Sequence, residues 1–239
     1  MSLFRFKQFS ILQAENAMKV GTDAMLLGTI ANYNSPKNIL DIGAGTGVLS
    51  LMMAQKYPST TIHAVELDEI AAKECLTNFK QAPWANRLRV DQNNFISFKA
   101  SEKFDVLISN PPYYQTRLEN QDARKSRARH ESSLPVELML NKCLDFMHEQ
   151  SLLWVIIPSE IKGDWIEKAN ANELHCIEEV EIHGKKNAPS KRNILAFCRT
   201  KMSLKLSSFT VRDESGNYTK EYIDLTFDFH FNDLRKIIE

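Results

Sequence analysis

Ile39-Leu40-Asp41-Ile42-Gly43-Ala44-Gly45-Thr46-Gly47 is an apolar run that ends in an acid and passes into glycines at every second position. The next residues, Val48-Leu49-Ser50-Leu51-Met52-Met53-Ala54, read as a helix. The pattern predicts a strand, a tight turn that touches a ligand, and a helix N-terminus. Glycine is required where backbone takes positive φ or lies close to a ligand, and the unpaired N–H groups of the helix start point at whatever is bound. A plain structural βα turn has no need of three spaced glycines behind a strand-end acid. A nicotinamide dinucleotide would want its third glycine one place later, where the chain has Val48, and has no use for an acid at Asp41.

Working outward, Thr61-Ile62-His63-Ala64-Val65-Glu66 reads as a second strand, ending in an acid 19 residues past Gly47. A carboxylate at that spacing accepts two hydrogen bonds from a ribose 2′,3′-diol, which makes Glu66 the ribose ligand. Asp68 is the better cap for the following helix, predicted from Glu69 to about Lys80. A third strand over Arg87 to Val90 leads to Asn93-Asn94-Phe95, and a fourth, Phe104 to Ile108, runs into Ser109-Asn110-Pro111-Pro112-Tyr113-Tyr114. Open α/β sheets bind ligands outside the carboxyl ends of their strands, so this turn is expected beside the glycine turn. Two prolines fix their own φ and hold the preceding residue extended, making the Asn110 side chain and the Pro111 carbonyl a rigid pair of acceptors. Such a clamp suits a planar amino group, whose lone pair is delocalised until two acceptors on its hydrogens favour the pyramidal form. Tyr113 would stack on a base, worth roughly 1–3 kcal/mol.

The N-terminal segment alternates charge or amide with Phe4, Phe6, Phe9 and Ile11, which suits a short strand or hairpin. In Met18-Lys19-Val20-Gly21-Thr22-Asp23-Ala24, Thr22 or Asp23 is placed to cap a helix running to about Tyr33. Beyond Tyr114 the chain loses apolar residues and carries Arg117, then Arg124-Lys125-Ser126-Arg127-Ala128-Arg129-His130, read as an exposed loop that is either a solvated charge run or a grip on phosphates. A helix over about Pro135 to Glu149, capped by Ser132 or Ser133, precedes a fifth strand at Leu152 to Ile157, a helix from about Ser159 to Ala171 and a strand at Cys176 to Ile182. Gly184 to Lys201 then holds six Lys or Arg residues, among them Lys191 and Arg192, and no acid, before a last strand at Asn193 to Cys198. The tail is expected to form a hairpin about Glu214-Ser215-Gly216-Asn217 and a closing segment.

Composition narrows the function classes. Lys and Arg balance Asp and Glu at 30 each, so any attraction for nucleic acid is local and falls on the two basic segments. The four cysteines, Cys75, Cys143, Cys176 and Cys198, lie far apart with no metal-ligand spacing, so no metal is expected. The start of the chain interrupts its apolar residues with charge, unlike a signal peptide, and Leu152 to Ile157 is far too short to cross a bilayer. The expectation is a soluble, cytoplasmic monomer of one domain, 1–239: an extension and cofactor-covering helix at 1–35, a core at 36–200, and a tail at 201–239.

Asp-x-Gly-x-Gly-x-Gly, Glu66 and Asn110-Pro111-Pro112-Tyr113 together resemble the S-adenosyl-L-methionine (SAM) methyltransferases that act on exocyclic or amide nitrogens. A narrower resemblance, to the bacterial tRNA1(Val) adenosine-37 N6-methyltransferase family, rests on Lys19-Val20-Gly21-Thr22-Asp23, Ala128-Arg129-His130-Glu131, Lys191-Arg192 and Tyr218-Thr219…Tyr222. It implies a Rossmann-like class I α/β fold: a mostly parallel seven-stranded sheet with an antiparallel last strand and helices on both faces. By that resemblance SAM would be held by Thr22, Asp41 (facing its cationic methionine end), Gly43, Gly45, Gly47, Glu66, Asn94 (accepting from the adenine amine) and Phe95. Asn110, Pro111, Pro112 and Tyr113 would hold and stack the target adenine, and Arg127, Arg129, His130, Lys191 and Arg192 would meet tRNA. His230 stands where relatives are expected to carry an aromatic. The same clamp would also serve a protein glutamine amide, an rRNA guanine N2 or a DNA adenine, and a SAM- or RNA-binding protein without catalysis is the other class.

Overall fold

Residues 38–42 form an interior strand of the sheet, with side chains buried on both faces. In the computed structural model, which describes residues 2–13, 20–111, 134–232 and 234, β3 (Asn38–Ile42) sends Ile39 into one core and Leu40 and Ile42 into the other. The alternation recurs in β7 (Met147–Pro158), where Trp154 and Ile156 face one side and Leu153, Val155 and Ile157 the other. It recurs again in β9 (Arg192–Cys198), with Ile194 and Ala196 opposite Leu195 and Phe197. Strands buried on both faces read as continuous apolar runs, and that is how they look in sequence.

With β4 (Thr61–Glu66), β5 (Leu88–Gln92), β6 (Phe104–Ser109), β8 (His175–His183) and β10 (Lys205–Thr210), these strands make an eight-stranded sheet in the order β10-β8-β9-β7-β6-β3-β4-β5. β9 runs antiparallel to both β7 and β8; every other pair is parallel. The helices α1 (Thr22–Ile30), α2 (Val48–Lys56) and α3 (Glu69–Gln81) cover one face, together with the separate antiparallel pair β1 (Ser2–Arg5) and β2 (Ser10–Gln13). On the other face lie α4 (Val136–Leu144) and α5 (Lys162–Ala171) over Phe95, Phe98, Phe104 and Phe146.

Three elements depart from the sequence reading. β10 adds an eighth strand at the edge, parallel to β8, with Phe209 turned into the core. The tail's second half is no hairpin strand: beyond one Arg212–Tyr218 bridge, Lys220–Thr226 winds into α6 because Thr219 caps it, its side chain accepting from the Tyr222 N–H. His230 packs its ring against Tyr218 and Tyr222. The helix expected to reach Glu149 stops at Leu144, since Phe146 turns into the aromatic cluster and Met147 already pairs with Phe104. The loop at 115–131 and the Ser132 or Ser133 cap lie outside the described residues.

Candidate active site

The carboxyl ends of β3, β4, β5 and β6 open into one cavity of about 960 Å³. Gly43, Gly45 and Glu66 line it together with Asn94, Phe95, Asn110 and Pro111, and the start of α1 from Val20 to Ala24 closes one side. The switch in strand order between β3 and β6 creates the crevice, as it does in open parallel sheets generally.

The glycine turn is stapled to the end of β4. Gly43 N–H and Ala44 N–H both donate to the Val65 carbonyl, at 2.9 and 3.2 Å, and Gly45 N–H donates to Glu66 Oε2 at 2.7 Å. Glu66 Oε1 accepts from the Asp68 N–H at 2.8 Å, while Asp68 caps α3 through the Ala71 N–H. Each Glu66 oxygen thus keeps a lone pair beyond its backbone bond, facing a cavity that its residue lines. Gly43 and Gly45 have φ of 70° and 56°, and a Cβ on either would meet nothing within 4 Å. A cradle of that kind, beside a strand-end carboxylate, fits a nucleoside carrying a diol and a flexible charged arm.

Asp41 and Gly47, read in the sequence as ligand residues, stand behind the cavity and not on its wall. Asp41 is fully buried and does not line the cavity. Its Oδ2 accepts from the Ser50 N–H at 3.0 Å and from the Ser50 hydroxyl at 2.7 Å, tying α2 to the strand, while Oδ1 is buried without a partner. Burial, with the Glu66 charge near, pushes its carboxyl up to about 7 despite the two Ser50 hydrogen bonds. Gly47, at φ 85°, lies where a Cβ would come within 2.7 Å of Phe79 and 2.8 Å of Cys75. The Cys75 thiol, pushed up by burial and by the Asp41 and Glu66 charges, stays protonated.

Thr22 lines the cavity as the first residue of α1, yet neither it nor Asp23 caps that helix; the cap position is Gly21, with no side-chain bond. Asp23 instead accepts from Arg192 Nε at 2.9 Å. Arg192, expected to meet RNA, is thus paired with α1 while its side chain stays about a third exposed, and a second of its N–H groups donates to the Lys191 carbonyl at 3.0 Å. Asn94 and Phe95 line the cavity, but the Asn94 side-chain carbonyl already accepts from the Ile96 N–H at 2.9 Å, the Asx turn that bends the chain after β5. Asn110 and Pro111 reach the cavity half-buried at the end of β6, where the Ser109 hydroxyl donates to the Ile42 carbonyl at 2.8 Å and locks that end to β3. Pro112, Tyr113, Arg127, Arg129 and His130 lie outside the described residues. Missed in the sequence were Leu67 and Ile70, exposed apolar side chains on the cavity edge beside Glu66, and Ser109. An apolar residue directly after a strand-end acid was the available signal for the first. Among the described residues no group of three or more His, Cys, Asp or Glu could hold a metal, and no helix is long and apolar enough to cross a membrane.

Sheet order, glycine turn and a shared cavity with the Asn110-Pro111 turn define a Rossmann-like methyltransferase, whose methyl donor is SAM. The family model Methyltransferase small domain matches residues 9–130. Among solved structures, a predicted O-methyltransferase from Agrobacterium tumefaciens superposes with a TM-score of 0.68 at 18% identity, over 87% of this chain and 96% of the other. A putative RNA methyltransferase from Pyrococcus horikoshii gives 0.54 at 16% identity, over 74% and 81% of the two chains. The chain belongs to the tRNA1(Val) (adenine(37)-N6)-methyltransferase family. The Flavobacterium johnsoniae protein of that name is 36% identical over 95% of this chain and 99% of its own length, and that of Pseudoalteromonas translucida is 34% identical over 96% and 99%.

Proposed function

We propose that this protein transfers the SAM methyl group to N6 of adenosine 37 in a tRNA1(Val)-type tRNA, as the names of its relatives describe for them. The observation that carries the reading is the placing of Asn110 and Pro111 on the same cavity as Gly43, Gly45 and Glu66. SAM supplies an electrophilic methyl group on a sulfonium. Glu66 accepts from the ribose diol with the lone pairs its backbone bonds leave over, and Phe95 and Leu67 give the cofactor's base an apolar surround. Asn94 accepts from the base through the second lone pair of its carbonyl. The Asn110 carbonyl and the Pro111 carbonyl accept the two amine hydrogens of the target adenine, which turns the nitrogen lone pair toward the methyl carbon. This is positioning of a near-attack geometry, and no separate base is needed because the methylated ammonium is a strong acid. Pro112 stiffens the turn and Tyr113 stacks on the adenine. Lys191 grips phosphate, with Arg127, Arg129 and His130 doing the same from the other basic segment. The chain works as one domain, a monomer, in the cytoplasm.

Incubation with labelled SAM and separate tRNA, rRNA and protein fractions, followed by nucleoside analysis, tests the reading. Label in N6-methyladenosine of tRNA is the expected result; label in a protein fraction or in guanine would overturn it. Asn110→Ala should abolish transfer while SAM affinity stays within about threefold, because the side chain addresses the amine and not the cofactor. Equal loss of SAM binding would remove Asn110 from that role.

A further inference from the structure

α1 forms one wall of the cavity through Gly21 to Ala24, and side chains from elsewhere hold it at both ends. At its C-terminus Lys56 Nζ donates to the Thr29 and Ala31 carbonyls at 2.7 and 2.6 Å, a cation on the negative end of the helix. At its N-terminus Asp23 sits in the first turn, where a carboxylate is favoured, and takes the Arg192 guanidinium. Arg192 is itself fixed as the first residue of β9, paired with Pro158 of β7 and Ile182 of β8. The segment before it is closed by Ser159 and Ser190 at 2.9 Å and by the Ser159 N–H on the Lys191 carbonyl at 3.2 Å. The ion pair is the described side-chain link from the carboxyl end of β7, and from the basic segment beside it, to the wall of the cavity.

We propose that Arg192 is a positioning residue for the cofactor, acting through Asp23, and that the charge legible in sequence as an RNA contact is spent on the SAM pocket. Releasing the pair lets the Gly21–Ala24 wall move away from the cavity without touching the Asn110 clamp. Uniform weakening of cofactor binding follows, in ground state and transition state alike. Lys191, adjacent in sequence, remains the residue that meets phosphate. The inference rests on the reading of the cavity as the SAM site.

The test uses the full-length protein. SAM affinity is measured by equilibrium dialysis with labelled cofactor for the wild type, Arg192→Gln, Asp23→Asn, the double variant and the exchanged Asp23→Arg/Arg192→Asp. The salt dependence of tRNA binding is measured in parallel for the wild type, Arg192→Gln and Lys191→Ala. Each single substitution should weaken SAM about tenfold and raise KM for SAM with little change in kcat, and the double variant should be no worse than either single. The exchange should restore part of the loss. Arg192→Gln should keep the wild-type salt slope, whereas Lys191→Ala flattens it. Unchanged SAM affinity in Arg192→Gln, additive losses in the double variant, or a salt slope that falls in Arg192→Gln as in Lys191→Ala would each overturn the proposal. Should a single variant fail to fold, failure of the exchange to recover SAM binding decides against it equally. A wild-type protein that does not bind SAM would sink the underlying reading as well, which separates that failure from this one.

Discussion

Gly43 and Gly47 lie four residues apart in one turn, yet a side chain added to each would meet opposite surroundings. At Gly43, as at Gly45, both of which line the cavity, it would meet no atom within 4 Å; at Gly47 it would drive into Phe79 and Cys75. Asp41 and Glu66 divide in the same way, one sealed under α2 against Ser50, the other on the cavity with a backbone bond to each oxygen. A motif that reads as one ligand site is thus two structures back to back. The front face lines the cavity, and the rear face packs against α2 and α3. Binding energy and folding energy are therefore separable in this turn, and substitutions on the two faces should report on different quantities.

The largest effect is expected at Gly47. Gly47→Ala places a Cβ at positive φ, which costs roughly 1–2 kcal/mol, and overpacks Phe79 and Cys75, which costs roughly 1–3 kcal/mol more. Unfolding followed by circular dichroism in urea should show a loss of about 3 kcal/mol, with SAM affinity per folded molecule nearly unchanged. Normal stability with lost cofactor binding would erase the distinction between front and rear.

Asp41 comes next, and its sign follows from the raised carboxyl. Below the ordinary carboxylate range the group is protonated in both states, and above about 7 it is ionised in both. Between them the folded protein holds a proton that the unfolded chain has released, so its contribution to stability falls as pH rises toward 7. Asp41→Asn removes that dependence. The difference in unfolding free energy between pH 5 and pH 8 should shrink by roughly 2–3 kcal/mol. Absolute stability carries an opposing cost, since the amide N–H groups replace Oδ1 where no acceptor lies. The slope is free of that term, and an unaltered slope would mean that Asp41 is ionised beneath the turn.

Much of this arrangement was legible because it is local. Apolar runs of five or six residues, an acid at the end of β4, and glycines at alternate positions are set by neighbours in sequence, and the core strands fall where the pattern puts them. What was not legible depends on partners far along the chain. Arg192 reads as one more cation in a basic stretch until Asp23, 169 residues away, is seen against it. Gly47 reads as ligand-facing until Phe79 and Cys75 close behind it. β10 was hidden because an edge strand with four exposed residues carries little alternation to find.

The smallest effect on stability, and the sharpest test of the front face, lies at Gly45. Its N–H bond to Glu66 involves only backbone on the glycine side, so Gly45→Ala keeps it. At φ 56° a methyl group costs roughly 1 kcal/mol of backbone strain and collides with no protein atom. It would stand on a residue that lines the cavity, next to the N–H that donates to Glu66. Thermal unfolding should therefore shift by only a few degrees, roughly what 1 kcal/mol produces in a domain of this size, while SAM affinity falls about tenfold, equivalent to about 1.4 kcal/mol. Gly47→Ala reverses the ratio, losing stability and sparing affinity. Because the two substitutions are chemically identical and two residues apart, neither added volume nor lost glycine entropy accounts for opposite outcomes; only the direction each Cβ faces does. If both variants lose affinity and stability in the same proportion, the turn is one structure after all, and the cofactor is held by something other than its cavity side.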